Sequence, residues 1–425
     1  MQLIKNFESL NKTPERKICL ELIETALDSI QPANIIAKNF SLNGSILTIQ
    51  NKVIDLSRFE KIFLLGFGRG SAGLSKHIEN MLNDLLTEGY VIDTETEQFS
   101  KIQLTIGIYQ LPSEVNLSFT KTVLEKLGNL TEKDLVIVVI AGGGSVLFEN
   151  PYRIGLEKLI EVNKSLLLSG ATITDMNIVR KHLSLVKGGG LIKPLFPATI
   201  VSVIASDVPG NNLSSIASGP TVKDETTKEQ ALEVLKKYNL FEKLNLQEEY
   251  FIETPKENKY FENATNILLV SNQTALSAME GKAKELGFDV KIFTDNMQGD
   301  AKTAGKELID QNFSGILLAG GETIVKVLNK EGQGGRNQEI VLAALAFIDE
   351  KTTIASFDSD GLDNSPFAGA IGDSLTIQKA KEMNINPQVF LQENNSFLFF
   401  EKTRDGIITD RLPSNVLDLM IVLKK

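Results

Sequence analysis

Asp134-Leu-Val-Ile-Val-Val-Ile-Ala-Gly-Gly-Gly-Ser145 is a short, unbroken apolar run that ends in three glycines and a serine. A run of this length without alternation is a strand buried on both faces, as in parallel sheets whose faces are covered by helices. The same grammar recurs on both sides of it. Lys61-Ile-Phe-Leu-Leu runs into Gly66-Phe-Gly68-Arg69-Gly70, and Pro197 to Ala205 leads to Ser206-Asp207-Val-Pro-Gly210. Further on, Ser314 to Ala319 leads to Gly320-Gly321-Glu322-Thr323, and Thr352 to Ser356 leads to Asp358-Ser-Asp360-Gly361. Helical patterns lie between them at 71–86, 118–127, 155–169, 274–286, 299–311 and 337–346. Strand, glycine-rich turn and helix in alternation define an α/β fold with doubly wound parallel sheets. Ligands of such folds bind beyond the carboxyl ends of the strands, where these turns lie.

At 425 residues the chain is long enough for two or more domains. The charged, glycine-poor stretch from Asp224 to Tyr260 suggests a border, which places the domains at 1–235 and 236–425. A helix is expected over 14–30, stopped by Pro32, followed by a small hairpin-like stretch. With 44 basic and 54 acidic residues, the net charge of −10 argues against nucleic-acid or anionic-membrane binding. One cysteine and two histidines exclude an intramolecular disulfide, a thiolate zinc cage and a multi-histidine metal centre. No apolar run approaches the roughly 20 residues of a membrane span, and no secretory signal pattern opens the chain, so a cytoplasmic protein is expected.

Six stretches carry chemistry. Gly68, Gly70 and Gly73 spell GxGxxG between a strand and a helix, and Asp93 follows the next strand, as in dinucleotide-binding folds. The simpler reading is a tight turn with Arg69 facing an anion at the helix start. Gly142-Gly143-Gly144-Ser145 can curl several N–H groups around a phosphate or carboxylate. Arg180, Lys181 and Lys187 with Gly188-Gly189-Gly190 form a second candidate anion cradle, or else a cation-rich helix end. Asp207 stands at a strand end where a base or magnesium ligand belongs, with an ordinary Asp turn as the alternative. Gly334-Gly335-Arg336-Asn337-Gln338-Glu339 offers a planar cation at a helix start, and Asp358-Ser-Asp360-Gly-Leu-Asp363 offers three carboxylates for a hard cation. No GxxxxGK[ST] loop and no GxSxG elbow occur.

Gly142–Ser145, Val179-Arg-Lys-His-Leu-Ser184 with Lys187-Gly-Gly189, Ser206-Asp-Val-Pro-Gly210 with Ile216-Ala-Ser-Gly-Pro220, Gly320-Gly-Glu-Thr323 and Gly334–Glu339 together resemble the type II glycerate kinases, whose C-terminal domain is of the MOFRL type. The resemblance spans nearly the whole chain. It implies an N-terminal Rossmann-like domain, a C-terminal MOFRL-type α/β domain and an active site in the cleft between them. It also implies ATP- and Mg2+-dependent phosphorylation of D-glycerate to 2-phosphoglycerate.

On this reading Asp207 orients or deprotonates the C2 hydroxyl, or holds magnesium. Arg69 and Arg336 grip the glycerate carboxylate or stabilise the transferring phosphoryl group. Gly66, Gly68, Gly142–Ser145, Arg180 and Lys187–Gly189 cradle substrate or phosphate. Glu322 and Asn337 are further contacts, and Asp360 is a second metal candidate. The expected partners are D-glycerate and a nucleotide, with a homo-oligomer left open. The chain departs from the family pattern at four places, one of them the acidic loop at 358–370, which is one residue shorter than usual. Arg69 stands where the family has a lysine in GxGKA. Ile108-Tyr109-Gln110-Leu111-Pro112-Ser113 replaces GHPxPD. Near the C-terminus only Thr409, Asn415, Val416 and Asp418 remain of TGPTGTNVND. The alternatives are a kinase for another small hydroxy acid, a catalytically impaired homologue, and an NAD-dependent hydroxypyruvate-type reductase.

Overall fold

The computed structural model describes residues 2–425 and contains three sheets. The hairpin-like stretch is a three-stranded antiparallel meander, β1 (Phe40–Asn43), β2 (Ile46–Ile49) and β3 (Lys52–Asp55). The apolar runs of the first half build a six-stranded sheet from β4 (Lys61–Phe67), β5 (Glu88–Asp93), β6 (Ile102–Ile106), β7 (Asp134–Ile140), β8 (Thr199–Ala205) and β9 (Ala264–Val270). Its order is β6-β5-β4-β7-β8-β9, and the strands β4 to β8 pair in parallel. From β4 the chain winds outward one way to β5 and β6; from β7 it winds the other way to β8 and β9. The reversal falls between β4 and β7, and every residue of β7 is buried.

The second sheet is formed by β10 (Val290–Met297), β11 (Gly315–Gly321), β12 (Thr352–Asp358), β13 (Gly369–Gly372), β14 (Gly406–Ile407) and β15 (Asp418–Lys424). Here the purely parallel expectation is corrected. The order is β10-β11-β15-β12-β13-β14, and β15 enters antiparallel to both β11 and β12. The carboxyl ends of β11 and β12 therefore share an edge with the start of β15, and Asp418 is in register with both Gly321 and Asp358.

The polypeptide packs as two compact units, Ile35–Leu269 and the chain up to Asn34 together with Val270–Lys425. The border expected at 235/236 thus lies 34 residues later (269 − 235), and the N-terminal helix belongs with the C-terminal half. Packing explains both shifts. Leu240, Leu244, Leu246 and Phe251 are buried in one cluster with Leu159, Val162, Leu166 and Val179, so the charged stretch covers the first unit rather than linking it to the second. Strand β9 then completes the first sheet. The helix Pro14–Ser29 is locked into the second unit by a fully buried ion network. Arg16 donates to Asp373 at 2.7 and 2.8 Å, to Asp405 at 2.6 Å and to Thr376 at 2.9 Å. Among the described residues no helix is long and apolar enough to cross a membrane.

Candidate active site

In the first unit, the reversal between β4 and β7 places two glycine-rich turns side by side. They are stitched by backbone bonds from Ala141 N–H to Phe67 O at 3.0 Å and from Arg69 N–H to Gly142 O at 2.7 Å. Gly68, at φ 107°, comes so close to the Ala141 carbonyl that no side chain would fit. Asp207, just beyond β8, turns its half-buried carboxylate into the space a Cβ would take on Gly142. Burial pushes that carboxyl above its ordinary range, opposed by backbone N–H donation, including that of Gly143, and by the charge of Arg69. The Arg69 guanidinium lies over the Tyr109 ring, 4.7 Å from its centre. Arg69 and Asp207, assigned from sequence to one site, do come together.

Ser145 is the start of a buried polar chain. Its Oγ is 2.8 Å from Ser218 Oγ, and the Ser218 hydroxyl is 3.1 Å from Asn177 Oδ1. The Lys187 ammonium is buried against the Glu149 carboxylate. Burial also lowers the pKa of Arg180, whose Nε donates to Asn163 Oδ1 at 2.8 Å. Lys187 is thereby committed to a carboxylate within the fold rather than free to hold a phosphate. Gly188 and Gly189 pack against Thr254 and Phe261, and Gly66 sits inside β4 against Ser75 and Val91. These three glycines serve close packing, which corrects their expected role as a cradle; Gly68 and Gly142–Gly144 lie in the two stitched turns beside Arg69 and Asp207.

The GxGxxG stretch is also resolved. Asp93 accepts from the N–H groups of Gly70 at 3.0 Å and Ala72 at 2.8 Å. Its buried carboxylate sits on the start of the helix Ser71–Leu82, where a dinucleotide pyrophosphate would otherwise bind, and cannot reach out to a ribose.

In the second unit the candidates gather at the shared edge of β11, β12 and β15. Arg336 forms ion pairs with Asp418 at 2.6 Å, Asp358 at 3.2 Å and Glu322 at 3.2 Å. Its fork is filled by protein carboxylates, so the expected grip on a substrate carboxylate is not how this side chain is held. Asn337 is fully buried, donating to Asp418 at 2.7 Å and accepting from Ser356 at 2.5 Å, which makes it a scaffold rather than a ligand contact. Asp363 caps the helix Arg336–Ala344, accepting from the N–H groups of Asn337 at 3.1 Å and Gln338 at 2.9 Å. Burial pushes the Asp363 carboxyl up to about 6. Burial and the neighbouring Asp418 and Asp360 charges drive Asp358 well above the usual carboxylate range. Asp360 accepts the Leu362 N–H, and its own N–H donates to Asp358. Asp207 and Asp360, the two expected metal ligands, belong to different units. Among the described residues no group of three or more His, Cys, Asp or Glu is arranged to hold a metal ion, so these side chains do not form a magnesium cage of their own.

Two participants, Tyr109 and Glu149, escaped the sequence reading as site residues. Tyr109 was visible only as a departure from a motif. Glu149 carries no local signal, because its partner Lys187 lies 38 residues away; the bond from Ser218, inside the quoted 216–220 stretch, to Asn177 spans 41 residues.

Residues 18–251 match a domain of unknown function, DUF4147, and residues 315–418 match the MOFRL family. A glycerate 2-kinase of Pyrococcus horikoshii is 33% identical over 96% of this chain and 97% of its own. The crystal structure of a glycerate kinase from Thermotoga maritima superposes with a TM-score of 0.85 at 29% identity, covering 96% of this chain and 99% of that one. A protein of Agrobacterium vitis named a putative hydroxypyruvate reductase is 31% identical over 85% of this chain and 86% of its own. A chain that carries both domains in this order, and aligns with a glycerate 2-kinase over nearly the full length of each, belongs to the glycerate 2-kinase family of DUF4147–MOFRL proteins.

Proposed function

We propose that this protein is a glycerate 2-kinase that transfers the γ-phosphoryl group of ATP to the C2 hydroxyl of D-glycerate. The observation that carries the reading is the meeting of Arg69, Asp207 and the Gly142–Ser145 turn at the reversal between β4 and β7. Asp207 takes the hydroxyl proton as the C2 oxygen bonds to phosphorus and the bond from phosphorus to the bridging oxygen breaks, releasing ADP. A carboxylate raised by burial is a stronger base than an exposed one. Arg69 sets a fixed positive charge beside the developing anion. The N–H groups of the Gly142–Gly144 turn supply further donors to an anionic oxygen. Magnesium reaches kinases with the nucleotide's phosphates and needs only one or two carboxylates.

ADP release, coupled to a spectroscopic readout, with Mg–ATP and D-glycerate tests the reading. Turnover supports it, and turnover only with another small hydroxy acid moves the substrate but keeps the reaction. The reductase alternative is opposed by Asp93, which fills the dinucleotide position with a protein carboxylate. Stabilisation by Mg–ATP but not by NAD or NADP in a thermal-shift series is the expected result.

A further inference from the structure

We propose that Tyr109 is the positioning residue of this site: its ring holds the Arg69 guanidinium in the plane that serves Asp207 and the Gly142–Gly144 turn. The inference rests on the kinase reading above for its chemistry, but its geometry stands alone. Three features fix the ring. The preceding residue, Ile108, is pinned on both sides by buried Asn116: its N–H donates to Asn116 Oδ1 at 3.0 Å, and its carbonyl accepts from Asn116 Nδ2 at 2.8 Å. The same amide also donates to Val146 O at 3.0 Å, tying this loop to the segment that follows the glycine turn. The next residue, Gln110, is held at φ 87°, a region that non-glycine residues adopt only when their surroundings impose it. Across the site, the ring edge occupies the space a Cβ would take on Gly143. The ring therefore touches the turn whose Gly143 N–H donates to Asp207, and its face carries Arg69.

A guanidinium is planar and long-stemmed, and it gains orientation from an aromatic face where a compact ammonium needs none. Tyr109 is 39% exposed, so this is not a core aromatic that happens to lie near a cation. The consequence is a dependence of Arg69 on Tyr109 that the ring supplies and the hydroxyl does not.

The experiment has two arms on the full-length chain. The first labels Arg69 with phenylglyoxal and follows it by mass spectrometry in wild type, Tyr109→Phe and Tyr109→Ala. The phenylalanine variant is expected to label at the wild-type rate, and the alanine variant several-fold faster. The second measures ADP release with Mg–ATP and D-glycerate. Tyr109→Ala is expected to lower kcat by about 3- to 30-fold, the range of a cation–π contact, with KM nearly unchanged. Tyr109→Phe is expected to stay within about twofold of wild type, because the ring is kept. In an Arg69→Lys background the alanine change is expected to cost under about twofold more, because an ammonium needs no orienting plane. Equal labelling in all three proteins overturns the positioning role, as does an alanine penalty of the same size in the Arg69→Lys background. If wild type releases no ADP with D-glycerate, the kinase reading fails, while the labelling order still decides the role of Tyr109. Thermal melts confirm folding, and Tyr109→Leu, which keeps bulk without an aromatic face and is expected to behave as the alanine variant does, takes its place if Tyr109→Ala is unstable.

Discussion

At the scale of single residues, Asp207 and Arg336 show how burial and partners set a role. Asp207 is half-buried against glycine, with donors on one side and Arg69 on the other, and its carboxyl is raised. As a base it works only when deprotonated, so kcat is expected to fall as pH drops through that raised value. Asp207→Asn is expected to lower kcat by about 100-fold or more and to erase this acidic limb in a pH–rate profile. A variant that keeps the limb would assign it to another group. Arg336 reads in the sequence as an anion grip, but three carboxylates fill its fork. Two of those, Asp358 and Asp418, are buried, so removing the cation strands their charge. Arg336→Ala is expected to cost about 2–3 kcal/mol in denaturant unfolding, somewhat less than for a fully buried pair because the guanidinium is a quarter exposed. Loss of turnover without loss of stability would restore the direct role.

At the scale of elements, carboxylates cap the helices that glycine-rich turns open. Asp93 holds the first turn of Ser71–Leu82, and Asp363 does the same for Arg336–Ala344. Asp93→Ala leaves the N–H groups of Gly70, Ala72, Thr94 and Glu95 without this acceptor and is expected to cost about 2 kcal/mol, read as a lowered denaturation midpoint. Neither cap is visible as a local motif: Asp93 lies 23 residues beyond Gly70, and Asp363 lies 26 residues beyond Asn337. The helix Pro14–Ser29 is held by Arg16, whose partners are 357 and 389 residues distant. Burial alone would raise the Asp373 carboxyl, but the hydrogen bonds and charge of Arg16 outweigh it and hold it below its ordinary value. A depressed folded pKa contributes stability that is present above the unfolded pKa and is lost as pH falls through the folded one. Stability is therefore expected to drop below about pH 4. Arg16→Met should reverse that contribution, because burial alone raises Asp373, and should cost about 3 kcal/mol at neutral pH, since Asp373 stays buried without a cation while Asp405 keeps Lys379 at 2.7 Å. Urea titrations at pH 7 and pH 3.5 measure both effects.

For the whole molecule, the division of the chain makes a direct prediction. A fragment spanning Ile35–Leu269 contains the meander, the six strands of the first sheet but for the last residue of β9, and the helical cluster around Leu159 and Leu244. It is expected to unfold cooperatively by itself. A fragment of residues 1–235 lacks β9 and the Leu240, Leu244, Leu246 and Phe251 side chains of that cluster, and it carries an N-terminal helix whose buried arginine has lost Asp373 and Asp405. It is expected to give no sharp transition in calorimetry, and two equally cooperative fragments would contradict the packing described here.

Much of this architecture can be read from the chain alone. Short apolar runs such as Asp134–Ile140 and Thr199–Ala205 can bury both faces only as inner strands, and the glycine-rich segments that follow them mark the turns. The α/β class and the placement of Arg69, Asp207 and Gly142–Ser145 at strand ends follow from local composition, and so does the family resemblance. Tertiary structure decided the rest, because it depends on partners remote in sequence. Strand β15 inserts antiparallel between β11 and β12, and its arrival brings Asp418 to Arg336. Residues 236–269 close the first unit, because their leucines find a helix surface about 80 residues earlier in the chain. Whether a cation such as Arg336 or Lys187 faces a ligand or a buried carboxylate is a question of three-dimensional charge pairing. Residue identity supplies the charge, and only the fold supplies its partner.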